Sequence, residues 1–158
     1  MNAPQAQNGS ETGPALPGLL VDPNWLGDHV GDARLRIVDL RDSDAYADGH
    51  IPSSVQLDLE DLGQTLNGCD NVLLPPDEFE RVMARLGVSH RDTVVAYDDH
   101  WGLPSARLIW ALGHYGVRSV GVLNGGWDRW QEEGRPTSRG PGSDGAASGG
   151  TDEFVARP

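Results

Sequence analysis

Residues 94–107 constrain the fold of this chain more than any other stretch. Val94, Val95, Ala96 and Tyr97 make a short, β-branched apolar run with no polar alternation, the pattern of a strand covered on both faces. Pro104 fits the first turn of a helix, where its missing N–H costs nothing, and residues 105–115 continue in helical composition. A loop between such a strand and such a helix lies at the C-terminal edge of a parallel sheet and at a helix N-terminus. Backbone N–H groups converge there, making a cradle for an anion or a nucleophile. In this chain the loop opens with two carboxylates, Asp98 and Asp99.

The same alternation of short strands and helices runs through the chain. Strands are predicted at residues 19–21, 35–40, 55–59 and 117–123, beside the one at 94–97. A helix starts at Asp22 or Pro23 and runs to about Val30, and a shorter one covers residues 43–47. Pro75, Pro76 and Asp77 open the clearest helix: Phe79, Val82, Met83 and Leu86 fall at i, i+3, i+4 and i+7, and Gly87 closes it. Asn124, Gly125 and Gly126 turn the chain into a last helix on which Trp127 and Trp130 share a face. Residues 61–71, with Gly63, Gly68 and several polar side chains, are expected to be irregular. Strands alternating with helices imply an α/β fold with a mostly parallel central sheet. No internal repeat is present.

Length and composition bound the rest. The 158 residues, 37% of them apolar, give one domain with a proper core plus tails. Residues 1–18 are expected to be a disordered leader, 19–137 the folded domain, and 138–158 a Gly/Ser-rich linker with a short C-terminal tail that carries Phe154 and Val155. A linker at that position implies that the domain was once joined to another. The net charge of −12 makes nucleic acid and anionic membranes poor partners. All 12 basic residues are arginine, which excludes Schiff-base chemistry and a P-loop lysine. There is neither an apolar run of about 18 residues nor a secretory signal pattern. The lone Cys69 excludes an internal disulfide and fits a reducing cytoplasm.

Three segments together resemble the rhodanese-like sulfurtransferases. Val38, Asp39, Leu40 and Arg41, followed by Tyr46, Ala47, Asp48, Gly49, His50, Ile51 and Pro52, are similar to the first signature of that family. Val122, Leu123, Asn124, Gly125, Gly126 and Trp127, with Trp130, are similar to the second. The strand, loop and helix at residues 94–107 stand where the family keeps its active-site loop, formed here by Asp98, Asp99, His100, Trp101, Gly102 and Leu103. The resemblance spans roughly residues 19–136 and implies a three-layer α/β/α fold. Two departures stand out: Ser53 and Ser54 replace the usual Gly-Ala, and Asp98 occupies the position where active members carry their cysteine. In tandem members of the family the N-terminal of two domains commonly has Tyr-Asp-Asp here and is catalytically silent. The resemblance therefore implies a silent domain supporting a second, cysteine-bearing rhodanese domain that transfers sulfane sulfur from thiosulfate or 3-mercaptopyruvate. A free-standing regulatory or protein-binding module is the alternative. No cofactor or metal is expected.

Rhodanese chemistry needs a thiolate inside a ring of backbone N–H groups to hold a persulfide. Asp98 cannot accept a sulfane sulfur, and Asp98 with Asp99 would repel anionic thiosulfate. No catalytic residue is therefore assigned. Both carboxylates are expected to cap the following helix and satisfy the loop amides, or to face a cleft between domains. Trp101 and Arg107 are candidates to line such a cleft. Arg41 and Arg107 are expected to pair with Asp39 or with the loop aspartates. Cys69 lies outside the strand–loop–helix, next to Asp70, whose charge disfavours a thiolate, and is read as a loop thiol of no special role. His50 is read as bonded to local backbone rather than as a metal ligand. A cysteine-dependent phosphatase is excluded, because that chemistry needs a cysteine, five residues and an arginine, and Cys69 is followed by Asp70 through Leu74 and then Pro75.

Overall fold

The computed structural model describes residues 12–141 and 154–157. In chain order it comprises β1 (Leu20–Val21), α1 (Pro23–His29), β2 (Leu35–Asp39), α2 (Ser43–Asp48), β3 (Ser54–Gln56), a 3-10 turn (Leu59–Leu62), β4 (Gly63–Leu66) and β5 (Cys69–Leu73). It continues with α3 (Pro76–Leu86), β6 (Thr93–Tyr97), α4 (Leu103–His114), β7 (Val120–Leu123) and α5 (Gly126–Glu132). Five strands form one sheet in the order β1-β7-β6-β2-β3, every pair parallel. The run at residues 94–97 is thus the central strand, flanked by β2 and β7.

Successive side chains of a strand point to opposite faces, and here they supply two separate cores. Val94 and Ala96 of β6 join Val38 of β2 in a cluster with Phe79 and Met83 of α3 and Leu108 and Leu112 of α4. Val95 and Tyr97 join Ile37 in the other, with Leu26 of α1 and both Trp127 and Trp130 of α5. Helices therefore cover both faces, giving the expected three layers. Each fully buried large apolar side chain contributes about 1.5–3 kcal/mol relative to exposure, so both faces of β6 stabilise it strongly. The helix ends follow their local chemistry. The Asp22 carboxylate accepts the Asn24 N–H at 2.8 Å with Pro23 in the first turn of α1, and Gly87 ends α3 at φ 70°.

Three of the strand and loop readings differ from the structure. Residues 61–71 are not irregular; they contain the 3-10 turn's end and most of an antiparallel hairpin, β4 with β5. Asn67 (φ 52°) and Gly68 (φ 80°) form its turn, and an Asn-Gly pair with both φ positive is the favoured two-residue hairpin turn. Strand β3 stops at Gln56 and β7 begins only at Val120. The Val117 amide donates instead to the Leu112 carbonyl, closing the end of α4.

Both expected tails reach further into the fold than their composition indicates. The Gly13 amide donates to the Arg91 carbonyl at 2.7 Å, the Thr93 hydroxyl donates to the Pro14 carbonyl at 2.7 Å, and Leu16 packs against the α1 and α5 core. Ser138 and His50 exchange two backbone hydrogen bonds. Phe154 is buried against Phe79 and stacks on His90 at 4.6 Å. The rest of the expected leader and most of the expected linker lie outside the described residues. No helix among the described residues is long and apolar enough to cross a membrane.

Candidate active-site loop

Asp98 follows β6 directly and is only 3% exposed. Its Oδ1 accepts the backbone N–H groups of His100 at 2.8 Å and Gly102 at 3.0 Å. Its Oδ2 accepts the Ser105 N–H at 3.0 Å and the Ser105 hydroxyl at 2.5 Å. Burial works against the charge, but the Ser105 hydroxyl and then the three amides outweigh it and hold the carboxyl below the usual aspartate range. Gly102, the N-cap of α4, offers no side chain, so Asp98 caps the helix from four residues upstream. The amide ring at the end of β6 is present, and the Asp98 carboxylate fills it.

A second loop locks this one in place. The Asp98 carbonyl accepts the Trp127 N–H at 3.0 Å. At Gly126 a Cβ would lie 2.4 Å from that carbonyl oxygen, and φ is 58°. Only glycine permits both the approach and the backbone conformation. From the other side, the Arg41 guanidinium packs 4.1 Å from the Trp127 ring centre. It also pairs with Asp39 (Nη2 to Oδ2, 2.7 Å) and donates to the Gly49 carbonyl at 2.6 Å. The Tyr97 hydroxyl donates to or accepts from Ser54 Oγ at 3.2 Å and accepts the Ile51 N–H at 3.1 Å. Burial first, and then the charge of Asp39, pushes the Tyr97 phenol well above its ordinary range, so it stays neutral. The motifs around Arg41, Asp98 and Gly126 thus form one braced unit.

The remaining loop residues point outward. Asp99 does not cap α4; its Oδ1 lies 2.7 Å from His100 Nδ1. Trp101 is fully exposed at φ 60°, a strained conformation for a bulky residue, and Leu103 is 75% exposed. Arg107 pairs with neither loop aspartate. It donates to the Asn71 carbonyl at 2.5 Å and lies 4.9 Å from the Trp110 ring, tying the β4–β5 hairpin to α4. Beside the loop is a cavity of about 510 Å³, walled by Leu20, Val122 and Trp101 and rimmed by Asp99 and Asp128. Arg107 is not part of its lining.

Cys69 is exposed at the start of β5, on a strand rather than a loop, and away from the cavity lining. His50 Nδ1 bonds the Tyr46 carbonyl at 2.7 Å and the ring stacks on Tyr46. Among the described residues no group of three metal-ligating side chains comes together. Ser105, which completes the shell around Asp98, and Asp128, on the cavity rim, were not singled out by the sequence. A hydroxyl residue in the first turn of α4 is the signal that points to the first; nothing local points to the second.

A parallel five-stranded sheet covered by helices on both faces, with an amide-ringed loop at the end of its central strand, defines the class of fold: three-layer α/β/α. The family of Rhodanese-like domains matches residues 22–133, and the chain belongs to that family. It is 34% identical over 128 residues to the sulfur carrier protein TtuD of Thermus thermophilus, covering 78% of this chain and 43% of that one. It is 30% identical over 123 residues to the 3-mercaptopyruvate sulfurtransferase of Escherichia coli, covering 72% and 44%. With the thiosulfate sulfurtransferase of Corynebacterium glutamicum it shares 34% over 126 residues, covering 78% and 41%. The chain therefore spans less than half the length of these curated relatives. Among solved structures, SseA from Escherichia coli superposes with a TM-score of 0.74 at 28% identity, over 88% of this chain and 55% of that one. The 3-mercaptopyruvate sulfurtransferase from Leishmania major gives 0.76 at 26%, over 90% and 43%.

Proposed function

We propose that this chain is a catalytically silent rhodanese domain that supports a cysteine-bearing rhodanese domain, and that the latter transfers sulfane sulfur from thiosulfate or 3-mercaptopyruvate to a thiophilic acceptor. The observation that carries this reading is the hydrogen bonding of Asp98, the residue that the resemblance sets where active members carry their cysteine: its own carboxylate takes the backbone N–H groups that a bound persulfide would need. A carboxylate has no sulfur lone pair to attack a donor, and its charge repels an anionic one. The partner is supported by two further facts. The relatives are about twice as long as this chain, and exposed Leu19, Leu20 and Trp101 line the cavity beside the loop, an apolar group of the kind that marks contact surfaces. The lone thiol, Cys69, with no internal disulfide fits a reducing cytoplasm.

The test mixes the full chain, carrying Cys69→Ser, with a separately expressed cysteine-bearing rhodanese domain. Complex formation is followed by sedimentation and sulfur transfer by thiocyanate production. A complex that raises the partner's turnover, and that Trp101→Ala weakens, is the expected result. Absence of any complex refutes the supporting role and leaves the free-standing binding module. Turnover by this chain without a partner refutes silence.

A further inference from the structure

The cavity beside the Asp98 loop joins an apolar wall to an acidic rim. Leu19 and Leu20 at the edge strand β1, Val122 of β7 and Trp101 of the loop form the wall. Leu19, Leu20 and Trp101 are exposed, so apolar surface of the kind the domain buries elsewhere is left open here. The rim carries Asp99, in the loop after β6, and Asp128, in the first turn of α5. Among the described residues no basic side chain lines this hollow.

The rim carboxylates are not neutralised from within the domain. Asp98 beside them gives both its oxygens to the amides and the hydroxyl around it. Asp99 Oδ1 lies 2.7 Å from Nδ1 of the exposed His100 ring. Asp128 has no ion-pair partner among the described residues. Arg129, next along the chain, packs its stem against Gly125 in the cavity lining but turns its guanidinium to Asp22 at 3.5 Å and Glu133 at 3.0 Å. Two exposed charges of one sign at the mouth of an apolar hollow attract a cation.

The wall decides which cation. A small inorganic ion would leave the apolar surface wet, and among the described residues no three metal-ligating side chains come together. A wholly apolar segment would desolvate the rim carboxylates without pairing them. Lysine and arginine answer both requirements, because a methylene stem packs on apolar surface while the charged head stays at the water edge. The exposed Trp101 indole adds a face on which such a head stacks. Trp101 is also held in place: the His100 and Gly102 amides on either side of it both donate to Asp98 Oδ1. The carboxylate that fills the amide ring thereby also fixes one wall of the cavity.

We infer that this cavity receives a basic side chain of the cysteine-bearing partner domain, an assignment that rests on the supporting role proposed above. The stem lies on Leu20, Val122 and Trp101, and the charge meets Asp99 and Asp128.

The experiment measures binding of the full 158-residue chain to the separately expressed cysteine-bearing rhodanese domain by sedimentation, at low and high sodium chloride. The double variant Asp99→Asn, Asp128→Asn should weaken the complex at least about tenfold at low salt and flatten its salt dependence, because exposed charges are screened. A control pair, Glu60→Gln with Asp77→Asn, removes the same charge outside the cavity lining and should bind as the native chain does. Asp128 also favours the first turn of α5 through the helix dipole, so thermal transitions check that each variant folds. Asp99→Asn alone, in the loop, should weaken binding about threefold and keeps the test open if the double variant is destabilised. Native-strength binding by the Asp99 and Asp128 variants would overturn the inference and leave the supporting role standing. An equal loss in the control pair would assign the effect to the net charge of −12 and overturn it too. Self-association of the chain that the same variants abolish, with partner binding unchanged, would give the cavity to a second copy instead. Absence of any complex would remove the supporting role and the docking site with it.

Discussion

Replacing Asp98 by alanine removes the acceptor for three backbone N–H groups and one hydroxyl. Losing an acidic cap costs about 0.5–2 kcal/mol, and losing a carboxylate at a helix N-terminus about 0.3–1 kcal/mol more. The buried Ser105 hydroxyl is left without its partner, at about 1–3 kcal/mol. The amides of His100 and Gly102 sit in a loop beside an open cavity, so water can reach them and soften the loss. Together these give about 3 kcal/mol, which for a chain of this size lowers Tm by about 6–12 °C. Urea unfolding, read through the buried Trp127 and Trp130, measures it directly. The pH dependence adds a second check. The folded state holds the Asp98 carboxyl below the usual aspartate range, so its contribution is complete at neutral pH. The contribution fades only as pH falls below the unfolded-state value of about 3.9 and is gone below the folded-state value. The gap between native protein and Asp98→Ala should thus stay constant from pH 7 to about 5 and narrow in acid. A cost under about 0.5 kcal/mol, or a gap that does not narrow below the unfolded-state value, would refute the capped carboxylate.

Three further substitutions probe the packing and the backbone of the domain. Gly126→Ala forces a Cβ to 2.4 Å from the Asp98 carbonyl oxygen at φ 58°, and should destabilise by more than about 2 kcal/mol in urea unfolding; a neutral result would mean that the two loops are not braced together. Ser53 holds φ 66°, so Ser53→Gly should relieve a strained backbone and raise stability by about 0.5–1 kcal/mol, whereas a loss in the same assay would show that the hydroxyl has a structural task. Phe154→Ala should cost about 3 kcal/mol and lower Tm if the C-terminal segment is part of the domain core, and no change would show that it is not.

The central architecture was legible because it depends on local pattern. The continuous apolar run at Val94 to Tyr97, the i, i+3, i+4, i+7 stripe from Phe79 and the glycine stop at Gly87 each name their own element. The β4–β5 hairpin was also written in the sequence, in the Asn67-Gly68 pair, but its strands are half-exposed and lack the alternation that marks a core strand. The site was less legible. Asp98 and Asp99 are adjacent and chemically identical, and only the path of the chain leaving β6 turns the first inward onto the amides and the second outward to His100. Arg41 was expected to reach Asp39, two residues away, and does. Its stacking on Trp127 depends on sheet order, which brings residues 41 and 127 together across β6. Arg107 was expected near the aspartates because it is close in sequence; as a helix residue it projects instead toward the hairpin.

The measurement that tests the central claim most directly is thiosulfate:cyanide sulfurtransferase activity of the full chain beside its Cys69→Ser variant. With the amide ring of β6 filled by Asp98, thiocyanate formation should match the protein-free rate in both. Activity present in the native chain and lost in the variant would make Cys69 the nucleophile, and activity kept in both would require another; either result contradicts a silent loop.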